Sequence, residues 1–202
     1  MLAAAFAPPI AFTVLVAVAG GIALVELWAL RRSGLAAIFE LVLLILGITA
    51  LAYLRALGDR GAAHPTATGY AVWLLLAIGA TWAADIGAYA VGSLWGRRKI
   101  APRISPGKTW EGTFGGFGAA ALAVLGIAAL FGLGRPEAAV AAVTIGPAAF
   151  AGDLLESWAK RRAGVKDSGT VFPGHGGMLD RVDSVIAVAP LVAVLTVAAG
   201  LG

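Results

Sequence analysis

Cysteine is absent from the 202-residue chain, which excludes disulfide cross-links and thiolate metal centres and leaves the redox compartment unread. Histidine is nearly absent too. With His64 and His175 as the two imidazoles, a zinc centre of the ordinary kind lacks ligands. Charge is scarce: 13% of residues are charged against 60% hydrophobic, and the mean hydropathy is +0.90. A chain this apolar cannot cover itself with a water-facing surface, so it reads as an integral membrane protein. Residues 1–9 carry no basic n-region, and the N-terminus is expected to be retained rather than cleaved as a secretory leader.

Apolar segments recur at about 10–30, 36–57, 69–95, 112–133, 138–158 and 183–201, each close to the ~20 residues that cross a bilayer as a helix. The expected fold is all-α, a polytopic membrane protein with six transmembrane helices. Small residues such as Gly79, Ala84, Gly115, Gly116, Gly118 and Ala119 are expected to let neighbouring helices approach closely in lipid. The net charge of +4 and pI of about 9.9 do not indicate a nucleic-acid partner, because the basic residues fall in short connections between apolar runs. Lipid headgroups and phosphates are the expected anionic partners.

Six crossings put the two termini and the connections near 58–68 and 134–137 on one side. Arg31, Arg32, Arg97, Arg98, Lys99, Arg103, Lys108, Lys160, Arg161, Arg162, Lys166 and Arg181 then lie on the other side, and the first side holds only Arg55, Arg60 and Arg135 of the 15 Lys and Arg. The positive-inside rule therefore predicts both termini outside and the two long basic connections in the cytoplasm. Asp85, Glu111, Asp153, Glu156, Asp167, Asp180 and Asp183 follow the same polarity, so the chemistry is expected at the cytoplasmic face.

In "GDLLESWAKR", Asp153, Glu156, Ser157 and Lys160 fall at i, i+3, i+4 and i+7 and project from one helical stripe. Carboxylates inside a membrane helix are costly and turn towards the bundle interior or a polar cavity. An internal ion pair with Lys160 is the simpler alternative. "LDRVDS" places Asp180 and Asp183 at the start of the last helix, where one acid can cap the N-terminus. A second acidic pair on the neighbouring helix exceeds what capping needs, and convergent carboxylates suit a hard divalent cation such as Mg²⁺. Between the two, "PGHGG" at 173–177 is a turn whose backbone N–H groups can meet phosphate. His175 has either an acid–base, a phosphate-binding or a structural role. The connection "GRRKIAPRISPGKTWEG" is not a Walker A loop, since its glycine pattern is wrong and no strand is expected to lead into it. It remains a basic loop bearing Ser105, Lys108 and Thr109, or else an ordinary positive-inside loop on anionic lipid. Asp85, with Tyr89 one turn on, lies about 15 Å from its helix end at ~1.5 Å per residue. It is expected to face the same cavity, with a break of the helix near Gly87 or Gly92 as one way to bring it there.

Taken in order, "DIGAY" from Asp85, "ISPGKTWEG" from Ile104, and the run Ser157-x-x-Lys160-Arg161-x4-Lys166-Asp167 through Phe172-Pro173-x-His175-Gly176-Gly177 to Asp180-Arg181-x-Asp183 resemble the signature of the phosphatidate cytidylyltransferase (CDP-diacylglycerol synthase) family. The resemblance covers residues 69–202, a catalytic membrane core, and leaves 1–68 as an N-terminal two-helix segment. It implies transfer of CMP from CTP to phosphatidic acid, with Mg²⁺, at the cytoplasmic face of a bacterial inner membrane, in a family that is often dimeric. Carried onto matching positions, it makes Asp153 and Asp180 metal-binding carboxylates, with Asp183 or Asp85 nearby. It assigns Ser157, Lys160 and the His175-Gly176-Gly177 turn to the nucleotide phosphates, and Lys108 to substrate. Arg161, Lys166, Asp167, Arg181, Ser105 and Thr109 complete the expected substrate set. Ala159 departs from the pattern, standing where the family usually has a larger apolar residue.

The residue chemistry suits that reaction. A phosphate monoester is already anionic near neutrality and needs no strong base, so the work is positioning and charge stabilisation. Two rivals are a CTP-dependent polyprenol kinase, which releases CDP and a lipid phosphate, and a small ion or phosphate transporter, whose charges would continue across the membrane.

Overall fold

The computed structural model describes residues 9–59, 72–171 and 176–199. Six α-helices carry the fold: α1 (Pro9–Ala29), α2 (Leu35–Asp59), α3 (Val72–Trp95), α4 (Trp110–Phe131), α5 (Arg135–Ala163) and α6 (Leu179–Ala198). All six are long and apolar enough to cross a membrane. A 3-10 turn, Leu30–Ser33, joins α1 to α2, and a two-stranded antiparallel hairpin, β1 (Lys99–Ala101) with β2 (Ser105–Thr109), joins α3 to α4.

The hairpin departs from the expected loop. Two prolines and a run of cations give it little strand propensity, and it is closed from outside. Trp110 N donates to Arg98 O at 2.9 Å, and Glu111 accepts from the Arg97 and Arg98 amides at 3.1 and 3.2 Å. Thr109 then ends β2 and caps α4, its hydroxyl accepting from Gly112 N at 3.1 Å, a cap that typically contributes ~1 kcal/mol.

The polar ends of α5 and α6 also differ from hydropathy. Helix α5 continues through Lys160, Arg161 and Arg162 to Ala163, and stops at Gly164 with φ 76°. Cations in a last turn complement the exposed carbonyls, so a drop in hydropathy there does not end the helix. Helix α6 likewise begins at Leu179, before Asp180. Helix α3 runs unbroken past Gly87 and Gly92, so no kink brings Asp85 to the site.

Lipid offers no hydrophobic drive between helices, and their packing rests on close van der Waals contact between small residues. A Cβ on Gly116 would lie 2.7 Å from Ala84 O and 3.0 Å from Ala88 Cβ, so α3 and α4 meet backbone to backbone. Gly47 lets α2 reach α6, where a Cβ would lie 2.6 Å from Ile186 Cα. Gly118 has open space around it and does not share that role. One core cluster joins Phe12 and Leu54 to Leu74, Val124, Ile145 and Val188, and a second joins Ala23 and Leu30 to Ala159 and Leu179. The first cluster mixes the first two helices with the last four, and the second mixes them with α5 and α6. Ala159 is fully buried in the second, where a small side chain admits Leu30 and Leu179.

Candidate active site

At the hairpin end of the bundle, α3, β2, α4, α5 and α6 enclose a cavity of about 440 Å³. Its polar wall comprises Asp85, Asp153, Glu156, Asp180 and Asp183 with Lys108 and Lys160. The helical stripe expected in α5 is present. Ser157 Oγ donates to Asp153 Oδ1 at 3.3 Å, and Lys160 Nζ donates to Glu156 Oε2 at 2.8 Å. Lys160 also reaches across to α6, meeting Asp180 Oδ1 at 2.6 Å. Lys108, delivered by β2, pairs with Asp153 and lies 4.8 Å from the Phe150 ring centroid, a cation–π contact. Three elements distant in sequence are thereby tied by two lysines.

Asp180 is the most heavily bonded acid. Besides Lys160, it accepts from Gly177 N at 2.7 Å, Ser168 N at 3.0 Å and Ser168 Oγ at 2.9 Å. Gly176 adopts φ 81°, and a Cβ there would lie 3.3 Å from Asp180 Cγ. The glycine pair therefore first serves the wrapping of the turn around Asp180. Asp183 faces the cavity and accepts from Ser184 N at 2.7 Å. Asp85 is exposed on α3 and lines the same space.

The remaining expected residues divide. Ser105 and Thr109 line the cavity, although the Thr109 hydroxyl is also engaged in capping α4. Arg161 instead holds backbone: its Nε donates to Ile104 O at 3.1 Å and its Nη1 to Val165 O at 3.3 Å, fastening the hairpin to α5. Lys166, Asp167 and Arg181 are exposed and are not part of the cavity wall. His175 lies outside the described residues, as do Phe172 and Pro173.

For a metal ion, the donor chemistry fits: Asp85, Asp153 and Asp183 offer oxygen only, as a hard divalent cation requires. Among the described residues, however, no three acids are grouped at coordinating distance, and lysines hold Asp153 and Asp180. Five acidic side chains and two lysines line the cavity.

Several polar groups at the site carried no weight in the sequence reading. Glu26 in α1 and Glu40 in α2 are buried, at 6% and 1% exposure, and Ser168 is buried beside Asp180. Phe150, Thr113 and Ser184 line the cavity. The signal for the two glutamates was available, since both are carboxylates within membrane-spanning helices. Nothing in the spacing marks Ser168.

These features define a polytopic helical membrane protein with an acidic, lysine-bridged cavity built into one end of its spans. A model of the cytidylyltransferase family matches residues 10–199, and the chain belongs to that family. It is 43% identical over 156 residues to a phosphatidate cytidylyltransferase of Pseudomonas aeruginosa, covering 68% of this chain and 51% of that protein. Proteins of the same name from Brucella suis and Synechocystis are 48% identical over 114 residues and 46% identical over 136 residues. Those alignments cover 54% and 64% of this chain, and 41% and 45% of the relatives. The chain thus spans about half the length of the curated relatives it matches.

Proposed function

We propose that this protein transfers CMP from CTP to phosphatidic acid, forming CDP-diacylglycerol and pyrophosphate with Mg²⁺ at the cytoplasmic face of a bacterial inner membrane. The observation that carries the reading is the cavity: acids and lysines from four elements, α3, β2, α5 and α6, converge on a space inside the spans, in a chain belonging to the cytidylyltransferase family. A lipid phosphate can reach such a site without its acyl chains leaving the bilayer.

A phosphate oxygen of phosphatidic acid attacks the α-phosphorus of CTP. The bond from that phosphorus to the bridging oxygen of the β-phosphate breaks, and pyrophosphate leaves with the electron pair. Lys108 and Lys160 supply positive charge to the phosphates, and the anionic nucleophile needs no base. Both lysines are held by carboxylates before substrate arrives, so they are pre-placed rather than ordered during binding. Asp153, Asp180, Asp183 and Asp85 are the residues that would hold Mg²⁺. When bound, the ion neutralises phosphate charge and stabilises the leaving group.

The test is to reconstitute the full chain in lipid with CTP, Mg²⁺ and phosphatidic acid and to follow pyrophosphate and CDP-diacylglycerol together. Equal amounts of both are expected. Formation of CDP and a phosphorylated lipid would replace this reading with a lipid kinase, and solute flux without CTP would replace it with a transporter.

A further inference from the structure

Glu26 sits in α1, far in sequence from every motif that carries the functional reading, yet its carboxylate bonds to the amides that begin α6. Oε1 accepts from Met178 N at 2.9 Å, and Oε2 accepts from Leu179 N at 2.8 Å. These amides begin α6, whose N-cap residue Met178 supplies no side-chain cap. The first amides of a helix have no partner within it, so a residue from another helix does the capping here. The positive end of α6 and two N–H donors are what make a buried carboxylate at 6% exposure tolerable.

Ser168 connects this cap to the cavity. Its hydroxyl lies 3.3 Å from Glu26 Oε2 and 2.9 Å from Asp180 Oδ2, between the two carboxylates. Gly177 of the wrapping turn and Gly169, next to Ser168, leave room for Glu26: a Cβ on Gly177 would lie 2.5 Å from Oε2, and one on Gly169 would lie 2.7 Å from Cδ. Glu26 itself is not part of the cavity wall.

We infer that Glu26 is a positioning residue, which fixes the first turn of α6 and the Gly177 turn so that Asp180 is presented to the cavity in one geometry. The inference rests on the CMP-transfer reading for its catalytic consequence and on hydrogen bonds alone for its structural one. It makes α1 part of the working site, although the resemblance to the family was carried by residues 69–202.

The experiment compares the full-length wild type with Glu26→Gln, Glu26→Asp and Ser168→Ala in lipid. Kinetics are measured per folded molecule, together with amide hydrogen exchange over residues 176–180. Glu26→Gln keeps the size but turns an amide donor towards backbone donors. It is expected to lower kcat about tenfold or more, the usual scale for groups that orient a site from behind. KM for phosphatidic acid should stay within about twofold, because the cavity wall is intact. Glu26→Asp should recover part of the loss, and exchange at 177–179 should quicken in Glu26→Gln. A residue that merely stabilised the bundle would lower the unfolding temperature without changing kcat per folded molecule, and that result would overturn the inference. Should Glu26→Gln fail to fold, Ser168→Ala decides, since wild-type kcat and exchange there would equally overturn it. If the wild type forms no CDP-lipid, the CMP-transfer reading falls and the exchange data still judge the positioning role.

Discussion

Lys160 bonds to Glu156 on its own helix and to Asp180 on the next, so one side chain bridges two acids of the cavity wall. Removing a partner from a buried pair is far costlier than the pair is worth, typically ~3–5 kcal/mol. Lys160→Met should therefore lower the unfolding temperature in detergent sharply. Lys160→Met combined with Glu156→Gln should recover part of that loss, which thermal melts of the single and double variants will show. Asp153 presents a different case. Its partner Lys108 is tethered through the hairpin, and it carries a direct role in the proposed reaction. Asp153→Asn should leave the fold nearly intact and reduce CDP-diacylglycerol formation by about 10²-fold or more, the scale found when an electrostatic group at the reacting centre is lost. Turnover near that of the wild type would remove Asp153 from the reaction.

At the scale of elements, helix contacts in this bundle are decided by where glycine lets backbones touch. Gly116 faces α3 and Gly118 faces open space, though the two stand two positions apart in the same helix. Gly116→Val should destabilise the protein by about 1–3 kcal/mol through overpacking, and Gly118→Val should change the melting temperature little. Equal effects would mean that α3 and α4 do not pack along this seam. Gly152 is the corresponding position at the site, since a Cβ there would lie 2.8 Å from Asp183 O. The contrast also marks what hydropathy can resolve. It finds the stripe of small residues in α4 but does not say which of them face the neighbouring helix, because in lipid both faces of a span are apolar.

For the whole molecule, the proposal requires the hairpin and the α5–α6 connection to face the cytoplasm. The lack of native cysteine makes that directly measurable, because an introduced thiol is the sole target for a membrane-impermeant maleimide. Arg103 and Gly134 are exposed and lie at opposite ends of the bundle. Arg103→Cys should label only in inside-out vesicles and Gly134→Cys only in right-side-out ones. The reverse pattern would put the cavity on the wrong side for CTP.

The sequence by itself determined six spans, the gathering of charge at one end and the i, i+3, i+4, i+7 stripe of α5, because hydrophobic length and helical periodicity are local properties of the chain. Asp153, Ser157 and Lys160 stood out for the same reason, as polar groups placed where an apolar one is the rule, whereas Lys108 stood out only through the resemblance of its loop to the family signature. Only the tertiary structure decided which partner each acid takes, that Arg161 holds the hairpin rather than lining the cavity, and that Glu26 caps α6 across some 150 residues of chain. Those pairings depend on which helix ends are brought together, and burial rewards a carboxylate for finding any suitable donor, without a sequence spacing to announce which one it will be.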